Sequence, residues 1–379
     1  MALVLSEEQQ FLRDTAAEFL DEKSPVTHLR ELRDGKEASG FSRPLWKEMS
    51  ELGWAGILVP EEYGGSGLGF AELGVVIEEC GRRLSPYPLL STVVLGASAV
   101  LLGGSESQRK DILPGVCAGE TILALASQEQ GRFHPYQVES RAERSGDGYR
   151  ITGEKKFVLD GHVADQLIVV ARTAGNPGGR DGLTLFLVDS AVAGLEIKRS
   201  NMVDSRNAAR VRLDGVEVGA DRVLGEVGAG AEILDPLHDR ACVALSAELL
   251  GISLEVFERT VEYLKTREQF GVLIGSFQGL KHRAAEMFCE LELAKSIVLD
   301  ALRAIDEKRL DSARLASAAK ARTSDAASLV TREGVQMHGG IGMTDEEEIG
   351  LFLKRAKAAE LSFGDAAFHR DCFAGLMGF

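Results

Sequence analysis

Hydrophobic periodicity changes twice along this chain, and the order of the periods limits the fold more than any single motif does. Up to about residue 119, apolar residues recur at helical spacing. Residues 6–21 open with Ser6 and Gln9 at capping-box separation and continue as an amphipathic helix. Residues 43–53 and 71–84 read the same way, and residues 93–119 read as a helical pair. From Thr121 to about Gly225 the runs are short and β-rich: ILALAS, YRITGEKKFVL, DQLIVVAR, LTLFLVD, LEIKRS and ARVRLDGVEV. GDG at 146–148 and NPGG at 176–179 supply turns, as in an antiparallel sheet. From Ala229 onward the helical period returns. Residues 242–264 are apolar almost all round, as a central bundle helix must be. An alanine-rich helix follows at 311–335, ended by Gly339 and Gly340. The expectation is an α+β chain: an N-terminal α-helical domain (1–119), an antiparallel β-barrel or sandwich domain (120–228) and a C-terminal four-helix bundle (229–379).

Length and charge narrow the functional classes. The 379 residues allow two to three domains with real cores, and 45% of them are hydrophobic, as in globular chains. No apolar run reaches the roughly 18–20 residues of a spanning helix, and MALVLSEEQQ lacks the basic start of a secretory signal. The net charge of −15 argues against general affinity for nucleic acid or an anionic membrane. The five cysteines (Cys80, Cys117, Cys242, Cys289, Cys372) are scattered and never spaced as CxxC, which points to free thiols in a reducing cytoplasm. His282 and His338 have no second His or Cys at ligand spacing, so no metal site is expected. The glycine-rich VPEEYGGSGLG at 59–69 lacks a preceding strand and a Walker lysine, and reads as an inter-helix turn. DEEE at 345–348 reads as the acidic first turn of a helix.

The most informative stretch is residues 262–287, EYLKTREQFGVLIGSFQGLKHRAAEM. Gly271, Gly275 and Ser276 break a helical run, and a second helix begins near Gln278. Arg267 and Phe270 fall at the break, either as a surface Arg and a buried Phe of an ordinary hairpin, or as an anion-binding fork beside an outward ring. YLKTREQFGVLIGSFQGLKHRAAEM resembles the C-terminal signature of the acyl-CoA dehydrogenase family, Y-x-x-x-R-x-x-F-G-x-x-I-x-x-F-Q-x-x-x-H-x-x-A-x-M. QMHGGIGMT at 336–344 resembles the family's second signature, and the three-part order of the whole chain is similar too.

That resemblance implies a flavin enzyme of acyl-CoA thioesters. A carboxylate takes the α-proton, the polarised thioester carbonyl bears the developing charge, and FAD takes the β-hydride. In the family FAD lies across a subunit interface. The half lent to the neighbour is intact here: Arg267 for the diphosphate, Phe270 by the adenosine, Gln278, Gln336, and Gly339 and Gly340 where backbone approaches the ligand. The half that receives FAD is altered. Ser127, Gln128, Glu129 and Gln130 stand at the T-E-P loop, and Phe157, Val158 and Leu159 at the W-I-T strand. Phe363 stands at the catalytic Glu and Asp365 at the Thr of the E-G-T segment, where an acid facing the FAD phosphates would repel them. Ala241 stands at the alternative Glu. His369 and Arg370 read as surface or interface residues.

Three readings follow. The first is a subunit of a heteromeric, α2β2 acyl-CoA dehydrogenase, resembling bacterial enzymes of steroid-derived CoA thioesters. A sister subunit then supplies base and acyl-CoA site, and an electron-transferring flavoprotein accepts the electrons. The second is a self-sufficient homotetramer with a relocated base at Asp239 or Glu248. Glu248 is alternatively a paired buried carboxylate, and Asp239 alternatively a helix N-cap. The third is a non-catalytic scaffold or ligand-binding member of the fold.

Overall fold

The structure, a computed structural model, describes residues 4–379. In chain order the α-helices are α1 (Glu7–Lys23), α2 (Val26–Asp34), α3 (Arg43–Glu51), α4 (Phe70–Arg82), α5 (Ser98–Gly103), α6 (Glu106–Cys117), α7 (Ala231–Thr266), α8 (Gln278–Asp306), α9 (Ser312–His338), α10 (Ile349–Leu361) and α11 (Ala366–Leu376). The strands are β1 (Leu123–Ala126), β2 (Arg141–Ser145), β3 (Gly148–Leu159), β4 (Gln166–Arg172), β5 (Leu183–Asp189), β6 (Leu195–Asn201), β7 (Asn207–Val218), β8 (Val223–Leu224), β9 (Glu268–Gln269) and β10 (Val272–Leu273). The helical N-terminal part, central sheet and helical C-terminal part are those expected from the periods. The chain divides into two compact units, one of Met1–Glu31, Phe70–Ser85 and Cys242–Phe379, the other of Leu32–Gly69 and Pro86–Ala241. No helix among the described residues is long and apolar enough to cross a membrane.

The sheet unit is ordered β6-β7-β3-β2-β4-β5-β8, with β1 beside β4. The sequence pattern reads as purely antiparallel, whereas β1 runs parallel to β4 in the register Leu123 to Gln166. The reason is topological: the β2–β3 hairpin intervenes, so the chain re-enters beside β1 in the same direction. β4 is buried from Leu167 to Ala171, which is why it reads as an unbroken apolar run. At its end Arg172 is buried and donates to the carbonyls of Tyr136, Val138, Gly179 and Asp181. A guanidinium out of water needs such acceptors. It pins both loops beside the strand.

Helix α7 begins at Ala231 and carries Pro236 inside it. Asp239 is therefore an interior residue and not an N-cap; the Gly228–Gly230 turn signals, not Pro236, mark the start. Asp306 at the end of α8 caps α4, accepting from Phe70 N at 2.5 Å and Ala71 N at 2.9 Å. Glu255 on α7 gathers Arg82, Arg83 and Arg259, and Arg259 continues to Glu348. The acidic run 345–347 lies just ahead of α10, with Glu348 as its N-cap, rather than inside its first turn.

Helix α4 crosses α7 at Gly251, where an added Cβ would sit 1.9 Å from the Glu78 carbonyl oxygen. An exposed helical Gly→Ala change gains up to about 1 kcal/mol. Here the obstacle is backbone, and overpacking costs about 1–3 kcal/mol. Gly251→Ala is therefore expected to destabilise, by roughly 1–2 kcal/mol net. Urea unfolding checks this, and an equal or higher midpoint would contradict the close crossing.

Candidate functional site

Arg267 and Phe270 stand at a turn that the sequence builds with strain, and Gln278 opens the helix that follows it. Strands β9 and β10 pair Gln269 with Val272, leaving Phe270 and Gly271 as a two-residue loop. Their φ values are +56° and +78°, the type I′ geometry of tight hairpins. Glycine accepts this conformation freely. A phenylalanine there costs about 1–3 kcal/mol. Phe270 is also 93% exposed, so burial does not offset the cost; its one ring neighbour among the described residues is Phe277, edge-on at 6.3 Å. Of the two alternatives for this pair, the buried ring is not what the structure holds.

Arg267 is exposed, and its guanidinium makes no ion pair or hydrogen bond among the described residues. Its backbone is fixed: Arg267 N–H donates to the Tyr263 carbonyl and its carbonyl accepts from Ile274 N–H, both at 2.9 Å. Gln278 is exposed at the first position of α8. Gln336 is exposed on the last turn of α9. Gly339 turns the chain at φ +66°, and an added Cβ on Gly339 or Gly340 would meet nothing within 4 Å. An unpaired cation, an outward ring, an amide and open backbone together suit a ligand with anionic and planar parts. These residues fit one side of an FAD.

The segments that would receive FAD are closed on themselves. Lys155 is 0% exposed and donates to Glu129 at 2.6 Å. Glu129 also accepts from Ser140 Oγ at 2.6 Å, Ser140 N at 3.0 Å and Glu139 N at 2.6 Å. Burial alone would raise the Glu129 carboxyl, but the Lys155 charge and these donors hold it below the usual range. Burial pulls Lys155 down to about 8. The same loop continues to Phe133, edge-on to His238 at 5.3 Å, and to Tyr136, whose hydroxyl donates to Asp235 at 2.7 Å. Arg180 completes this clasp on Asp235 at 2.5 Å. At the end of β3, Val158 is buried and Phe157 and Leu159 are apolar, so these three positions offer no hydroxyl. These residues do not fit FAD.

The candidate bases divide. Glu248 is buried and bidentate to Arg355, at 2.8 and 2.6 Å, which commits both its oxygens. Asp239 accepts no hydrogen bond among the described residues; burial first, and then the nearby Asp235 charge, push it up to about 7. His238 beside it is driven down to about 4 by burial and stays neutral. Ala241 and Phe363 bring no titratable group. Phe363 has φ +56°, and its carbonyl accepts from His369 Nε2 at 2.9 Å. His369 is thus a buried anchor and not a surface residue, because a helical turn of α11 carries it inward. Lys320, also buried, donates to the carbonyls of Glu360 and Gly364 at 2.7 and 2.9 Å. Sequence reading missed it, since an alanine-rich helix gives no sign of where its one lysine points. Asp365 caps α11 by accepting from Phe368 N at 2.9 Å.

The chain matches three family models: acyl-CoA dehydrogenase N-terminal domain over residues 6–120, middle domain over 124–216 and C-terminal domain over 237–375. It is 32% identical to the mitochondrial isovaleryl-CoA dehydrogenase of Pongo abelii, over 97% of this chain and 88% of that protein. Among solved structures it is similar to a Tcur3481-Tcur3483 steroid ACAD variant, with a TM-score of 0.88, 31% identity and 98% of each chain covered. A chain of the ChsE4-ChsE5 complex from Mycobacterium tuberculosis gives a TM-score of 0.88 at 26% identity, covering 100% of this chain and 99% of that one.

The position of Asp239 has a measurable pH signature. Its folded-state value lies above the ordinary 3.8, so its protonated form is favoured by the fold. The stability it contributes is complete below 3.8 and is lost as pH rises through about 7. Relative to Asp239→Asn, the wild type should lose stability across that window. Parallel unfolding midpoints for the two proteins would contradict it.

Proposed function

We propose, on the premise that this chain belongs to the acyl-CoA dehydrogenase family, that it is the lending subunit of a heteromeric dehydrogenase. The family is FAD-dependent, and bound FAD supplies the hydride acceptor that no side chain provides. Arg267, Phe270, Gln278, Gln336, Gly339 and Gly340 hold the FAD seated in a sister subunit. Arg267 pairs with its diphosphate, Phe270 covers an apolar part, and the open backbone at Gly339 and Gly340 lets it approach. The sister subunit contributes the acyl-CoA site and the carboxylate base, and the assembly is α2β2 in the cytoplasm. Its substrate is a bulky, steroid-derived acyl-CoA and its acceptor an electron-transferring flavoprotein. The steroid ACAD variant and the two-protein ChsE4-ChsE5 complex among its structural relatives support that choice.

The observation that carries this reading is the contrast at Phe270. A ring 93% exposed at φ +56° has no use inside its own protomer. Meanwhile the segments Ser127–Gln130 and 157–159 have consumed or lost the polar groups that would grip FAD. One observation favours a second reading, the self-sufficient enzyme: Asp239 is a carboxyl at about 7 without a fixed donor, the state a general base needs. The scaffold reading gives Arg267 nothing to do.

Co-purified with its sister subunit, the chain is expected to carry about one FAD for each pair of chains, as a two-fold split site requires. Arg267→Ala should weaken FAD by roughly tenfold or more, the scale of a charge-assisted contact. Absorbance titration reads both values. Full FAD loading and turnover by the chain alone, abolished by Asp239→Asn, would establish the second reading instead.

A further inference from the structure

We infer that Tyr263 and His338 are the positioning pair that sets the Arg267–Phe270 turn against the Gln336–Gly340 elbow, and so gives the lent half of the FAD site its shape. The inference rests on the reading above. The residues that would touch FAD lie on two segments far apart in sequence. Their side chains are exposed, so none of them holds the other segment in place. Something beneath must do so.

Half-buried Tyr263 and buried His338 join the two segments. Tyr263, on the last turn of α7, stacks on His338 with centroids 4.4 Å apart and planes 22° from parallel. Each ring sits on the backbone that launches one segment. The Tyr263 carbonyl takes the Arg267 N–H at 2.9 Å, so the residue carrying the stack also anchors the start of the turn. The Arg267 carbonyl then takes Ile274 N–H, and Ile274 is the buried residue that roots the hairpin. His338 is the last residue of α9, immediately before the left-handed Gly339. It is buried, and its Nδ1–H donates to the Gly334 carbonyl at 2.7 Å. That bond fixes the ring plane on which Tyr263 lies.

The helices below leave little slack. At Gly334 an added Cβ would come within 2.6 Å of Val256 Cγ1, so α9 and α7 already touch one turn before the stack. Turning the His338 ring would carry the elbow with it, and losing the ring would free the elbow from the turn. A site that needs both segments at once is sensitive to such shifts.

The experiment uses the co-purified complex stripped of flavin and titrated with FAD, read by flavin fluorescence and by kcat at saturating FAD. Arg267→Ala serves as the reference. If it leaves FAD affinity unchanged, the underlying reading fails and the pair has nothing to position. Given a loss there, His338→Ala and Tyr263→Ala are each expected to weaken FAD by about tenfold or more, and the double variant no further than either. kcat at saturating FAD should stay near the wild-type value. Tyr263→Phe, which keeps the stacked ring, should restore most of the affinity, and His338→Phe, which keeps a ring but not the bond to Gly334, should fall between the wild type and His338→Ala. Loss with Arg267→Ala but not with either alanine variant would overturn the inference. So would a His338→Phe complex as weak as His338→Ala, or additive losses in the double variant. Should an alanine variant fail to assemble, Tyr263→Leu against Tyr263→Phe supplies the same contrast between an apolar side chain and a stacked ring.

Discussion

A cation taken out of water must find acceptors inside the fold, and this chain meets that demand at Lys155, Arg172 and Lys320. Lys155 draws in Glu129, and Glu129 draws in Ser140 and the 127–140 loop. Arg172 spans the carbonyls of two loops beside β4. Lys320 fastens the turn between α10 and α11. Removing one partner of such a group leaves a buried charge exposed to no water and costs several kcal/mol. The loops around these cations are therefore among the least negotiable parts of the molecule.

The hairpin carrying Arg267 and Phe270 obeys the opposite rule. Among the described residues it is rooted by Ile274 and by backbone bonds to Arg267, and residues 268–273 are exposed. Inward polar groups that are satisfied have no capacity left for a ligand, whereas outward ones without partners have nothing else to do. The same inventory of donors and acceptors thus separates the exposed hairpin from the self-satisfied loops. No appeal to lost or retained motifs is needed to see the difference.

Hydrophobic period was enough to tell helix from strand along most of the chain, because α-helices and strands bury faces at different spacing. The Arg267 and Gln336 segments were legible as motifs because their residues are local in sequence. What was not legible shares one cause. The partner of Glu248 is Arg355, 107 residues away, and no local pattern announces that pairing. Tyr263 and His338 meet only after two long helices pack. Phe270 in a left-handed turn contradicts its own propensity, so the I′ geometry was hidden by the residue that adopts it. The parallel β1–β4 pairing and the interior place of Asp239 were missed because each depends on where the neighbouring element begins.

The strained turn at Phe270 also has a bearing on how two protomers would meet. A floppy loop loses conformational freedom at the moment of association, and that loss subtracts from affinity. Here the ring is already held in its unusual backbone well and braced by Phe277 before any neighbour arrives. The backbone cost of that turn falls on folding of the single chain, so any association through this hairpin would have less backbone ordering left to meet.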